Sequence, residues 1–123
     1  MISILVNKRA RKKIQSIDIE GHGEGLYGFD VVCAGVSACF VGSLNALSKP
    51  KKFKIDMRSG FGKVEVIDSM KITRHDDEVL ENLVIAFLTI QQSYPDKVKV
   101  TILPPEKEKV ANTKKVSRKE GKK

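Results

Sequence analysis

Apolar and polar residues alternate at the start of the chain in the pattern of two β-strands. The first strand covers residues 2–6 and the second residues 17–19, and five of the seven residues between them, 7–13, are basic. Basic residues at that density predict an exposed turn. Four of the next eight residues, 21–28, are glycine, which predicts a mobile loop. The glycine spacing matches neither a dinucleotide fingerprint nor a phosphate-binding P-loop.

Helical periodicity replaces this alternation between Val31 and about Leu47. Alanines and glycines keep the surface of this helix slim, so that it can lie close to a sheet, and Lys49-Pro50 ends it. The apolar positions recur at every fourth residue and are Val32, Val36, Phe40 and Leu44.

The second half of the chain repeats the order of two strands and a helix. Alternation over residues 53–57 and 64–66, with glycines between them, predicts a second hairpin. Asp76 or Asp77 caps a second helix, which ends before Pro95 because a residue that precedes proline avoids the helical region. The broad apolar face of this helix consists of Leu80, Leu83, Val84, Phe87 and Ile90.

A last alternating segment, 98–102, predicts a fifth strand and completes the order β-β-α-β-β-α-β. Two helices are too few to cover both faces of a parallel sheet. The expected fold class is therefore α+β, a two-layer sandwich of a five-stranded sheet and two main helices.

The composition suits one domain with a modest core. At 123 residues, 41% hydrophobic and 31% charged, the chain is too short for a multidomain enzyme with a separate cofactor domain. No long uncharged apolar run predicts a membrane span. The N-terminus is apolar first and basic second, the reverse of a secretory signal, which predicts a cytoplasmic protein.

The net charge of +8 is concentrated near the C-terminus. Residues 1–103 contain 15 Lys and Arg against 12 Asp and Glu, whereas residues 104–123 contain eight against three. The composition predicts a folded domain over 1–103 and a disordered basic tail over 104–123. Two hypotheses for the tail stay open: a solubilising segment, or a weak, salt-sensitive contact with RNA or the ribosome.

The clearest chemical signal lies at the predicted start of the first helix. With Asp30 as the N-cap, Cys33 becomes the third helical residue, where unpaired backbone N–H groups and the helix dipole favour the thiolate. Ser37 follows four residues later, on the same helix face. His22, at the end of the second strand, is a candidate to accept the thiol proton and later protonate a leaving amine.

Each of these residues also fits an ordinary structural role. Cys33 is compatible with a small buried hydrophobe, and His22 with a loop histidine. Asp30 is compatible with a helix cap alone, and Ser37 with a solvent-facing position.

The other cysteine and histidine predict no further chemistry. Cys39 is expected to be structural, since a helical rise of about 9 Å separates it from Cys33, too far for a disulfide. His75 lies far along the chain, so two cysteines and two histidines make a poor metal site, and no metal or cofactor is expected.

Two segments carry a resemblance to a known family. They are Gly21-His22-Gly23 and residues 28–37, Gly-Phe-Asp-Val-Val-Cys-Ala-Gly-Val-Ser. The pair resembles the ribosomal-processing cysteine protease family, Prp, whose pattern is Gly-His-Ala, a short loop and Asp-Ile-Val-Cys-Ala-Ala-Val-Ser. The resemblance extends over residues 1–103 in length and element order. Glycines 23 and 35 depart from it, because the family usually has alanine there.

The resemblance implies a function and a site. The implied protein is a cytoplasmic, homodimeric thiol protease, a hydrolase that removes the N-terminal extension of a large-subunit ribosomal protein, the one numbered twenty-seven, during ribosome assembly. Cleavage would follow an aromatic residue at the end of that extension. The implied catalytic dyad is His22 and Cys33, and Asp30 and Ser37 assist it.

Three further expectations concern how this site would work. We expect Asp30 to cap the helix and orient His22 rather than to transfer a proton. We expect backbone amides at the helix start to stabilise the oxyanion, and the loop 21–28 to act as a lid over the peptide.

A different class of function stays open from the charge alone. The basic tail and the basic turn, Lys8 to Lys13, fit a non-catalytic ribosome- or RNA-binding assembly factor. Few aromatic residues are placed for base stacking, so such binding would be to phosphate. A redox-sensing thiol is a third hypothesis, but no resolving cysteine lies within reach of Cys33.

Overall fold

Five strands form one sheet in the computed structural model, which describes residues 1–21 and 27–105. The strands are β1 Ile2–Arg9, β2 Lys13–Glu20, β3 Phe53–Arg58, β4 Phe61–Val66 and β5 Val98–Leu103. The helices are α1 Tyr27–Asn45 and α2 Arg74–Ser93, and short 3-10 turns cover 10–12, 50–52 and 69–71. The order β-β-α-β-β-α-β confirms the predicted α+β class.

The strands lie side by side in the order β3-β4-β2-β1-β5. All neighbours are antiparallel except β1 and β5, which are parallel. One end of the sheet therefore collects the starts of β1 and β5, the end of β2 and the turn between β3 and β4. The opposite end collects the turn between β1 and β2, the start of β3 and the end of β4.

The core lies between the two helices and one face of the sheet. Alternation places every second strand residue on that face, which is why the apolar pattern of the sequence located the strands. The fully buried core side chains include Ile4, Val6, Ile17, Val64, Val98, Val32, Leu80, Leu83 and Phe87.

The first helix starts earlier than the sequence pattern predicts. It begins at Tyr27 rather than Val31 and ends at Asn45 rather than Leu47. The expectation that Asp30 is the N-cap is therefore wrong, since Asp30 is the fourth helical residue. The end of the predicted glycine loop, residues 27–28, is likewise helical.

The second helix is capped by Thr73, not by Asp76 or Asp77 as predicted. The Thr73 side chain accepts a hydrogen bond from the backbone N–H of Asp76 at 3.1 Å. The helix ends at Ser93, before Pro95, as predicted.

Asp76 does not cap α2 and instead links the end of α1 to the start of α2. Its fully buried carboxylate accepts hydrogen bonds from Ser48 N at 2.7 Å, Ser48 Oγ at 3.0 Å and Lys49 N at 3.0 Å. Burial raises the pKa of Asp76, but these hydrogen bonds outweigh it, and the pKa lies below its usual value. The carboxylate thereby fixes the segment after α1 to the first turn of α2.

Candidate active site

A cavity of about 260 Å³ lies at the end of the sheet where β2 ends. Cys33, Ser37 and Phe40 line it from α1, and Gly21, the residue after β2, lines it from the sheet. The β3–β4 hairpin, residues 57–62, contributes much of the remaining wall. The cavity thus brings together segments that are far apart in sequence.

Cys33 is half-buried and packs against the hydrophobic core where it meets the cavity. It is the seventh residue of α1, not the third, because the helix begins at Tyr27. The influence of a helix dipole and the unpaired backbone N–H groups are confined to the first turn. The predicted activation of this thiol by a place in the first helical turn is therefore wrong.

Ser37 lies one turn after Cys33 and lines the same cavity. Ser37 is exposed to solvent, so its hydroxyl is accessible to a molecule that enters the cavity. The prediction that the two residues share one helix face is confirmed, because helical residues four apart lie one above the other.

Cys39 faces away from this cavity. It is half-buried and lines a separate cleft with Val79 and Ala86 of α2. Its packing between the helices is that of a structural cysteine, as the sequence indicated.

The sequence did not identify the wall formed by the second hairpin. Met57, Arg58 and Phe61 line the cavity, and the Arg58 guanidinium lies over the Phe61 ring at 4.6 Å from its centre. Arg58 also forms an ion pair with Asp56 at 3.3 Å. No local pattern marks these residues, since only the pairing of β4 with β2 brings them to the cavity that Cys33 also lines.

Two glycines give the cavity its shape. A Cβ on Gly62 would lie 3.1 Å from Cε2 of Phe40, so the absence of a side chain in β4 lets the Phe40 ring pack closely against the strand. Gly21 has φ of +130° and donates its N–H to the carbonyl of Gly60 at 3.0 Å. A residue with a side chain rarely adopts that φ, and the glycine-rich composition was the one sequence signal for it.

Two of the four predicted site residues lie wholly or partly outside the described residues. His22 is one of them, and the side chain of Asp30 is the other. The structure therefore brings together Cys33 and Ser37, and it places the cavity next to Gly21, the residue that precedes His22 in the chain.

Neither a metal cluster nor a membrane helix is found in the described part of the chain. Residues 1–21 and 27–105 contain no group of three or more His, Cys, Asp or Glu side chains that could hold a metal ion. No helix within the same ranges is long and apolar enough to span a membrane.

Known proteins resemble the chain over most of its length. The family model for cysteine protease Prp matches residues 1–99. Ribosomal processing cysteine protease Prp of Staphylococcus aureus (strain NCTC 8325 / PS 47) is 27% identical over 107 residues, which cover 81% of this chain and 97% of the relative. The protein of the same name from Bacillus subtilis (strain 168) is 28% identical over 108 residues, with 82% and 96% covered.

Solved structures share the fold. The crystal structure of the S. aureus ribosomal processing protease Prp with a covalently linked product peptide has a TM-score of 0.70 at 24% identity, covering 84% of this chain and 100% of that one. The crystal structure of SMU.848 from Streptococcus mutans has a TM-score of 0.69 at 24% identity, covering 85% and 95%.

Proposed function

The chain belongs to the cysteine protease Prp family, and we propose that it is the endopeptidase that removes the N-terminal extension of a large-subunit ribosomal protein, the one numbered twenty-seven. The family makes it a cysteine protease. Its curated relatives are named for ribosomal processing, which supports a ribosomal protein precursor as the substrate. The finer assignment of that precursor rests on the sequence resemblance.

One observation carries the proposal: Cys33 and Ser37 line a cavity that also reaches Gly21. His22 is the next residue in the chain after Gly21. We therefore assign His22 and Cys33 as the catalytic dyad. Their roles need a thiol and an imidazole at one cavity, and the chain has a single other histidine, His75, whose Nε2 lies 2.9 Å from the carbonyl oxygen of Ala46 at the opposite end of the sheet.

The proposed reaction runs in two steps. The Cys33 thiolate attacks the carbonyl carbon of the scissile peptide bond, the C–N bond breaks, and the His22 imidazolium gives its proton to the leaving amine. The acyl group remains on Sγ as a thioester. Water then attacks the thioester as His22 takes its proton, which releases the new carboxyl terminus and restores the thiolate–imidazolium pair.

Asp30 and Ser37 have supporting roles in this proposal. Asp30 lies three residues before Cys33 on α1, and we assign it to orienting His22. The Ser37 hydroxyl, exposed at the cavity, is assigned to a hydrogen bond with the bound peptide or the developing oxyanion.

The apolar walls of the cavity support cleavage after an aromatic residue. Phe40, Met57 and Phe61 line it, and a cavity of about 260 Å³ has room for a single large side chain. Apolar and aromatic walls favour such a side chain through the burial of its surface. The extension would then place its last aromatic residue beside Cys33.

The assembly and location follow from the same proposal. A homodimer is proposed from the family resemblance, and a cytoplasmic location from the ribosomal substrate. A weak contact of the basic tail, 104–123, with the ribosome is proposed from its charge of eight basic against three acidic residues.

The test is incubation of purified variants with the precursor protein, followed by intact-mass measurement of the product. Cys33→Ala is expected to abolish trimming while still binding the precursor, and the matched Cys39→Ala to trim normally. His22→Ala is expected to be as inactive as Cys33→Ala, since members of a catalytic unit fail together. Asp30→Ala is expected to lose part of the rate, and Ser37→Ala less.

Trimming by Cys33→Ala at the wild-type rate would contradict the proposal. Absence of trimming by the wild-type protein would instead favour the non-catalytic assembly factor, which needs no nucleophile. Replacing the aromatic residue before the cleavage site by alanine is expected to lower kcat/KM, and an unchanged value would contradict the assigned role of the cavity.

A further inference from the structure

The basic side chains of the folded part are concentrated at the end of the sheet opposite the cavity. Eleven of the 15 Lys and Arg residues in 1–105 belong to three segments at that end. The segments are 8–13 in the β1–β2 turn, 49–54 at the start of β3, and 71–74 at the start of α2. We call these three segments the basic pole.

Polar contacts hold the three segments around the start of α2. Arg9 of the first segment pairs with Asp77 of α2 at 2.6 Å. In the second segment, the backbone N–H of Lys49 donates to Asp76 at 3.0 Å. The carbonyl of Lys52 accepts from Ile67 N at 3.1 Å, next to the third segment. The basic pole is thus a feature of the fold rather than of one stretch of sequence.

Most acidic residues near the basic pole are already engaged, and Asp68, whose carboxylate accepts from Met70 N at 3.0 Å, is the exception that forms no ion pair in the described part of the chain. The Asp76 carboxylate accepts hydrogen bonds from backbone and hydroxyl donors, and the Asp77 carboxylate pairs with Arg9. Glu78 pairs with Arg74 at 3.4 Å and Glu81 with Lys13 at 3.7 Å. Eight cations remain that form no ion pair within the described residues: Lys8, Arg11, Lys12, Lys49, Lys51, Lys52, Lys54 and Lys71. Six of these eight are exposed to solvent, and Lys8 and Lys52 are half-buried.

The backbone holds two of these cations at the tip of the first hairpin. Arg11 and Lys12 have φ of +65° and +61°, a left-handed conformation that hairpin turns usually assign to asparagine or glycine. Lys8 Nζ donates to the carbonyl of Lys12 at 3.2 Å and closes this turn. Strained conformations of this kind are concentrated at sites of function.

We propose that the basic pole binds the phosphate backbone of structured RNA. Unpaired lysines on several segments, spread over a folded surface, fit the closely spaced phosphates of a duplex. The exposed positions of the basic pole carry no aromatic side chain, and Phe53 within it is buried. Binding is therefore to phosphate and independent of base sequence. Two exposed apolar side chains nearby, Ile67 and Met70, lie outside any amphipathic helix, which makes an anionic membrane the weaker partner.

The placement leaves the cavity accessible while RNA is bound. β1 has eight residues, a length of roughly 25 Å, and separates the basic pole from the cavity end. A protein held on RNA by one end therefore presents its cavity at the other. This inference goes beyond the proposed function and does not depend on catalysis.

The test measures binding of the full chain to a fluorescent 20-base-pair RNA duplex by anisotropy between 50 and 200 mM salt. The pole variant is Lys51→Gln/Lys52→Gln. A matched control, Lys97→Gln/Lys99→Gln, removes the same charge at the cavity end, and a second control, Lys122→Gln/Lys123→Gln, removes it from the tail. Arg11→Gln serves as an independent pole variant if the first fails to fold.

The pole variant is expected to weaken binding at least about tenfold at 100 mM salt. It is also expected to lower the slope of log K against log salt by about 0.9 for each lost phosphate contact. Both controls are expected to change the RNA affinity less than about threefold. All variants are expected to cleave a short peptide at the wild-type rate. Equal losses in the pole variant and either control would overturn the proposal, as would binding to phosphatidylserine vesicles without binding to RNA.

Discussion

Gly21 passes so close to the first residue of the chain that a Cβ on it would lie 2.4 Å from the carbonyl oxygen of Met1. Its φ of +130° and its hydrogen bond to Gly60 fix the direction in which the chain leaves β2. The next residue is the proposed catalytic base, His22. The geometry of Gly21 and Met1 therefore sets the direction of the chain immediately before His22.

Gly21→Ala is expected to lower both stability and activity. The added methyl group must displace backbone and adopt a strained φ, which costs about 1–3 kcal/mol. Urea denaturation and peptide cleavage measure the two effects. Gly42→Ala is the matched control, since nothing lies within 4 Å of its added Cβ and alanine favours the helix by up to about 1 kcal/mol. If Gly21→Ala retained wild-type stability and kcat, the positioning argument would fail.

Cys33 is expected to react with iodoacetamide faster than Cys39 near neutral pH. Cys33 lines the cavity next to Gly21, whereas Cys39 lies in the cleft between α1 and α2. The imidazole of His22, the proposed partner of Cys33, favours the reactive thiolate. Timed labelling with mass spectrometry measures the two rates. His22→Ala is expected to slow the labelling of Cys33 and to leave that of Cys39 unchanged, and faster labelling of Cys39 would contradict this assignment.

The link between the helices at Asp76 predicts how stability depends on pH. Hydrogen bonds from Ser48 and Lys49 hold its folded-state pKa below the usual value of 3.8. A lowered carboxyl pKa contributes stability above the unfolded pKa, and that stability is lost as the pH falls through the folded one. We therefore expect the free energy of unfolding to decline from about pH 4 downward.

Asp76→Asn removes this dependence. The substitution is expected to cost about 2 kcal/mol at pH 7, because charged hydrogen bonds to buried groups are lost, and to flatten the acid decline. Asp96→Asn, an exposed carboxyl, is the control and is expected to change neither. An acid profile of Asp76→Asn identical to wild type would show that another group controls it.

Truncation after Pro104 is expected to leave peptide cleavage unchanged. It removes 19 residues that lie after β5 and none of the core or cavity residues. Ribosome co-sedimentation is expected to weaken and to become less salt-sensitive, because eight cations are lost. Loss of peptide cleavage would place the domain boundary beyond residue 104.

The sequence by itself determined the strands, the helices and their order. Alternation over residues 2–6 predicts a half-buried strand whatever its partners are, and the spacing of Leu80, Leu83 and Phe87 predicts an amphipathic helix. The same holds for Cys33 and Ser37, which share a face because residues four apart on any helix do. These features are local, so the local pattern was sufficient.

Tertiary structure decided the helix starts and the site. Thr73, Asp76 and Asp77 are all good capping residues, and only the burial of Asp76 against Ser48 assigns the cap to Thr73. Likewise, Met57 and Arg58 line the same cavity as Cys33 only because β4 pairs with β2 and carries the second hairpin to that end of the sheet. Pairing between distant strands is set by the burial of the whole core, which no window of sequence contains.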